Sequence, residues 1–135
     1  MIIEGGCYCG AVRYRADADP QLRAQCHCRE CQYISGGSPN VVIGLPEPLF
    51  VYTKGAPATF KRKDLEQPVT REFCGDCGTP LTSRSPAIPG MVLVKVGSLD
   101  QPELFGKADF AVFTIDKQSF HALPEGVPCF ERMPG

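Results

Sequence analysis

Apolar and polar residues alternate with a period near two along most of this chain. Ala11-Val12-Arg13-Tyr14-Arg15 alternates cleanly, and residues 22–26, 40–45, 49–52, 69–73 and 91–96 carry the same strand signature. The last of these, MVLVKV, reads as a buried strand. Turn signals separate them: Asp19-Pro20, Gly36-Gly37-Ser38-Pro39, Pro46-Glu47-Pro48, Lys54-Gly55, Pro89-Gly90 and Gly97-Ser98. No stretch of ten residues keeps a helical period free of Gly and Pro, and only residues 29–34 suit a turn or two of helix. The fold expected is mostly β. Residues 106–135 remain apolar (Phe110, Val112, Phe113, Ile115, Phe120, Leu123, Phe130) and are expected to pack on the same core.

Length and charge narrow the class. A chain of 135 residues suits a single domain, residues 1–135, that buries roughly two-thirds of its surface. There is no run of 18 apolar residues to span a membrane, and no internal repeat. The start, MIIEGGCYCG, shows neither a basic nor an apolar leader region, so the expected location is the cytoplasm. Fourteen basic and 15 acidic residues are spread without blocks, giving a net charge of -1 and no basic stripe for a nucleic acid.

Cysteine changes the picture. Eight cysteines in 135 residues is rich for a reducing compartment, where such clusters bind metal more often than they form disulfides. They fall into Cys7-Tyr8-Cys9, Cys26-His27-Cys28-Arg29-Glu30-Cys31, Cys74-Gly75-Asp76-Cys77 and the singleton Cys129. In FCGDCGTPL two thiolates sit on a turn in which Gly75 and Gly78 can take positive φ. A tetrahedral zinc site must gather two more ligands, and the glycine-bordered pair Cys7 and Cys9 is the natural source. Cys74, Cys77, Cys7 and Cys9 are therefore read as a closed structural site. Cys26, Cys28 and Cys31 present three thiolates from one segment, the pattern of a zinc that keeps one exchangeable position. His27, between two of them, is expected to point away from the metal. Cys129, beside Pro128, is expected to be a buried structural thiol rather than a fourth ligand. Disulfides, iron–sulfur ligation and a purely structural pair of zincs are the competing readings.

The order G-G-C-x-C-G-A-V-R-Y, C-H-C-x2-C, F-C-x2-C-G-T-P-L, KVGSLD (Lys95 to Asp100) and ALPEGVPCFERMP resembles the glutathione-dependent formaldehyde-activating (CENP-V/GFA) family over nearly the whole chain. The resemblance implies a compact, mostly antiparallel β-tent with two zincs per chain, the second partly occupied. It implies a structural site at Cys7, Cys9, Cys74 and Cys77, and a more labile zinc at Cys26, Cys28 and Cys31 near the glutathione site. The implied activity joins glutathione to formaldehyde, a carbon–sulfur lyase reaction. The chain departs from many relatives after Phe105, where it reads ADFAVFTIDKQSF, and it has no Trp.

Two functions stay open on these residues. One is an enzyme in which a small thiol, activated at the second zinc, attacks an electrophilic carbon. The other is a non-catalytic module that binds a small thiol or a protein. Arg29, Arg62, Arg71 and Arg84 are the candidates to grip a glutathione-like carboxylate. His27 and His121 are the only histidines available as general bases. The partner expected is a small thiol, with no nucleic acid and no membrane, and a homodimer is left open.

Overall fold

The computed structural model describes residues 1–134, and it is mostly β. Ten strands form two sheets. The first sheet has the order β1 (Ile2–Gly6), β2 (Arg13–Asp17), β5 (Phe50–Lys54). The second contains β3 (Leu22–Cys26), β4 (Asn40–Pro46), β6 (Ala58–Phe60), β7 (Thr70–Phe73), β8 (Pro80–Arg84), β9 (Met91–Lys95) and β10 (Phe110–Val112), in the order β10-β3-β4-β9-β8-β7-β6. Every pairing is antiparallel except β10 on β3. Among the described residues the one α-helix, α1, spans Arg29–Ser35 and ends at Gly36, whose φ of 76° closes the turn without a Cβ penalty. Among the described residues no helix is long and apolar enough to cross a membrane.

The strands expected from alternation all form, with ends shifted by one or two residues. Four others, β1, β6, β8 and β10, lack a clean alternation and were not anticipated. Ile3, Tyr14, Ala16 and Phe50 from the first sheet meet Ile43, Leu45, Leu81, Val92 and Val94 from the second in one buried cluster. Tyr14 stands at its centre, tilted on Phe50 at 5.2 Å and edge-on to Tyr52 at 6.4 Å. Its hydroxyl pairs with the Ser98 hydroxyl at 2.7 Å, and burial pushes its pKa up to about 12.

The tail departs from expectation. Ala108, Ala111 and Val112 are buried, but they lie outside the central cluster, and Phe120 is exposed. The reason is the parallel pairing of β10 with β3, which carries the tail to the far edge of the second sheet.

Candidate metal centres and the adjoining cavity

The first cluster forms where the end of β1 meets the turn between β7 and β8. Cys7 follows β1, and Gly10 N–H donates to the Cys7 carbonyl at 3.1 Å, bringing Cys9 back beside it. Gly78 N–H donates to the Cys74 carbonyl at 2.8 Å in the matching turn. Gly10 and Gly78, each following the second cysteine of its pair, take φ of 82° and 79°. Gly75 does not take positive φ, contrary to expectation: only the closing residue of each turn needs it. The backbone then aims donors at sulfur. Val12 N–H lies 3.2 Å from Cys7 Sγ, and the N–H groups of Asp76 and Cys77 each lie 3.4 Å from Cys74 Sγ. Thr79 ties the pairs together, accepting from Tyr8 N–H at 3.0 Å and meeting Cys77 Sγ at 3.1 Å. The Thr79 hydrogen bond holds Cys77 down to about 5.

All four sulfurs lie within 4.8 Å of one another, and two separations are 3.6 Å (Cys7 to Cys9) and 3.8 Å (Cys9 to Cys74). A disulfide would need about 2.05 Å. A tetrahedron with Zn–S bonds of about 2.3 Å has edges near 3.8 Å, so the donor set fits a closed metal site. Cys7 and Cys74 are buried while Cys9 and Cys77 are exposed. All eight cysteines are free.

The second cluster is built at the start of α1. Cys28 is the N-cap, its Sγ accepting from Cys31 N–H at 3.3 Å, so the x2 spacing places Cys31 one turn into the helix. Cys26 ends β3, and the three sulfurs lie within 4.8 Å of one another. Asn40, buried at the start of β4 opposite Cys26, donates Nδ2–H to Cys31 Sγ at 3.5 Å. Hydrogen bonds from Cys26 and Cys28 hold the Cys31 thiol well below its ordinary range, and the same contacts push Cys26 up. Three donors on one side leave one position for a ligand, which fits a metal held open.

Lys95 was not anticipated as part of this site. It pairs with Val42 across β4 and β9, is only 7% exposed, and its Nζ is buried without a hydrogen-bond partner. Burial pulls its pKa down to about 8, and the charge of the facing Cys31 opposes that shift. No sequence signal marks it, because register alone brings it here. His27 is fully buried and turned to His121, with Nδ1 to Nδ1 at 3.2 Å. His121 Nε2 donates to the Gly37 carbonyl at 2.7 Å, so its Nδ1 accepts and the His27 Nδ1–H donates. Burial lowers the pKa of His27, which favours its neutral form. Cys129 belongs to neither cluster and is exposed, a correction to the buried thiol expected. It bridges Ala111 at the outermost edge of the sheet, where nothing covers it.

A cavity of about 550 Å³ opens beside the second cluster, with Cys26, Cys28 and Cys31 in its wall. Of the four arginine candidates, Arg29 and Arg71 line it and Arg62 and Arg84 do not. Arg71, with its side chain 16% exposed, donates to Glu30 at 2.9 Å. Arg62 is held by Asp64 and Glu30, and Arg84 by Glu72 and Glu47.

Two sheets carrying a four-sulfur cluster and a three-sulfur cluster, each able to hold a metal ion, define a small, mostly β protein. Residues 2–116 match the family described as glutathione-dependent formaldehyde-activating enzyme (GFA), and the chain belongs to that family. A Halomonas elongata protein named "Putative glutathione-dependent formaldehyde-activating enzyme" is 29% identical over 105 residues, covering 74% of this chain and 67% of that protein. The crystal structure of a Rhodobacter sphaeroides protein superposes with a TM-score of 0.58 at 19% identity, covering 72% of this chain and 87% of that one, a likeness of fold.

Proposed function

We propose that residues 1–135 act as one zinc-binding domain that joins a small, glutathione-like thiol to an aldehyde, in the manner of a carbon–sulfur lyase. In this reading Cys7, Cys9, Cys74 and Cys77 hold a structural zinc, and Cys26, Cys28 and Cys31 hold a second, partly occupied one. The protein would work in the cytoplasm. The observation that carries the reading is the asymmetry of the clusters: four sulfurs close one site, whereas three sulfurs in a cavity wall leave the other open. Family membership and the name of the Halomonas relative support the choice of thiol and electrophile.

When bound at the second cluster, zinc supplies a lowered thiol pKa, so that a nucleophilic sulfur is available near neutral pH. The chain does the rest. Asn40 and the first turn of α1 orient the Cys31 and Cys28 sulfurs. Lys95 places a buried positive charge beside three thiolates, offsetting their excess negative charge. Arg71 spends an N–H on Glu30 and faces the cavity, where a carboxylate of the thiol can reach it. The C–S bond forms as the carbonyl π pair moves to oxygen, and that oxygen takes the proton the thiol gives up.

Calorimetric titration with glutathione, with and without formaldehyde, tests the reading. Heat on glutathione addition, formaldehyde consumption above the uncatalysed rate, and loss of both in Cys28→Ser are expected. Binding without consumption would make the chain a thiol-binding module, and no heat at all would sink the glutathione reading.

A further inference from the structure

Both rows of the central strands carry large apolar residues, but only one row enters the core. On β4, Ile43 and Leu45 are fully buried in the central cluster, while Val42, one residue before Ile43, faces the other way. On β9, Val92 and Val94 are in the cluster and Leu93 is not. The second row, Leu22, Ala24, Val42, Leu93, Phe110 and Val112, is the floor of the 550 Å³ cavity. Strands apolar on both faces normally lie under a covering layer on each side. Here the second face ends in a pocket that starts at the thiolates of Cys26, Cys28 and Cys31.

The arginines of that pocket are already engaged. Arg29 donates to Gln32 and lies 5.0 Å over the Tyr33 ring, and Arg62 and Arg71 both hold Glu30. Arg29 and Arg71 balance Glu30 and Asp116, so the lining has no surplus of positive charge and the cysteine triplet adds only negative charge to it. Such a lining does not attract an anionic tripeptide with two carboxylates into the pocket's depth; its polar part belongs at the mouth, near Arg71. Formaldehyde, with one carbon, leaves the apolar floor in contact with water. Covering that floor gains on the order of 25 cal/mol per Å².

We propose that the electrophile of this chain is an aldehyde bearing an apolar alkyl or aryl group, which lies along the β3–β4–β9 floor while its carbonyl carbon meets the thiol at the cysteine triplet. This rests on the thiol–aldehyde reading above. The atoms balance as before: the thiol sulfur bonds to the carbonyl carbon, and the carbonyl oxygen takes the thiol proton, with no oxidant or reductant.

The test uses the zinc-loaded full chain and unreactive stand-ins. S-methylglutathione and S-hexylglutathione mimic short and long adducts, and hexan-1-ol carries the apolar chain alone. At roughly threefold per buried methylene, S-hexylglutathione should bind on the order of 100-fold tighter than S-methylglutathione. Leu93→Ser, with its melting midpoint recorded to show that it is folded, should lose about tenfold of that preference. Equal affinity of the two thioethers overturns the proposal and leaves the thiol reading standing. Binding of hexan-1-ol as tight as that of S-hexylglutathione supports the apolar floor and overturns the thiol reading instead. Failure of all three to bind overturns both.

Discussion

The Cys9 and Cys74 sulfurs lie 3.8 Å apart although 65 residues separate them in the chain. That contact clamps the end of β1, in the first sheet, to the β7–β8 turn, in the second. Apparent binding energies of structural zinc are on the order of 10–16 kcal/mol, more than most domains of this size have in total stability. Cys74→Ser should therefore lower the melting midpoint by roughly 15 °C or more, with loss of one zinc by metal analysis. Cys28→Ser, at the rim of the cavity, should shift it by only a few degrees. Equal shifts in both variants would contradict the division of roles between the clusters.

Lys95 gives a second test because its burial is unfavourable unless the triplet is charged. Its pKa in the folded chain, about 8, lies below the ordinary lysine value, so the folded state binds fewer protons than the unfolded. Its cost is fully present below about pH 8 and fades as pH rises toward the ordinary value near 10.4. With one equivalent of zinc, leaving the second cluster empty, Lys95→Met should be more stable than wild type by roughly 2 kcal/mol at pH 7. The gap should close by pH 10.5. In chelator competition the same variant should hold its second zinc about tenfold more weakly.

Gly5 is set against Tyr14 so closely that a Cβ would meet the Tyr14 hydroxyl and the Ser98 carbonyl oxygen. Gly5→Ala should cost roughly 2–3 kcal/mol in chemical denaturation. Tyr14→Phe, which loses the 2.7 Å bond to Ser98, should cost about 1 kcal/mol. The double variant should be slightly less destabilised than the sum, since removing the hydroxyl relieves one of three collisions and leaves those with the ring Cζ and the Ser98 carbonyl oxygen.

Arg13 forks onto Asp100 with contacts of 2.8 and 2.5 Å, and Glu4 faces the same guanidinium. The fork holds the Asp100 carboxyl below its ordinary range. A depressed carboxylate contributes stability above its unfolded value, near pH 3.9, and loses it as pH falls through the folded one. Asp100 is 47% exposed, so the contribution is under about 1 kcal/mol after solvent screening. The melting difference between wild type and Asp100→Asn should be a few degrees at pH 7 and shrink as the pH falls below the ordinary carboxylate range. A difference that grows in acid would assign the fork no role.

Much of the site was legible because it is local. Cys-x-Cys and Cys-x2-Cys spacings fold into turns whose amides point at sulfur whatever surrounds them, and Cys28 to Cys31 is one helical N-terminus. The strands β3, β4 and β9 were legible for a similar reason, since alternation over five or more residues survives any sheet order. β10 has three residues and forms only because β3 offers its edge, so nothing in Phe110–Val112 announces it. Cys129 looked buried among apolar neighbours, yet that same edge pairing leaves it outside.

The sequence by itself therefore determined the β character, the short helix and the two groups of sulfur donors, all of which follow from spacing along the chain. Only the tertiary structure decided which apolar row of β4 and β9 became core and which became cavity floor. It also decided that Lys95, opposite Val42, would stand unpaired beside the cysteine triplet. Both rows carry large apolar residues, Val42 and Leu93 on one and Ile43, Leu45, Val92 and Val94 on the other, so alternation alone does not mark the second row as cavity floor. Sheet order and register set which row meets the first sheet, and those depend on contacts between residues far apart in the chain.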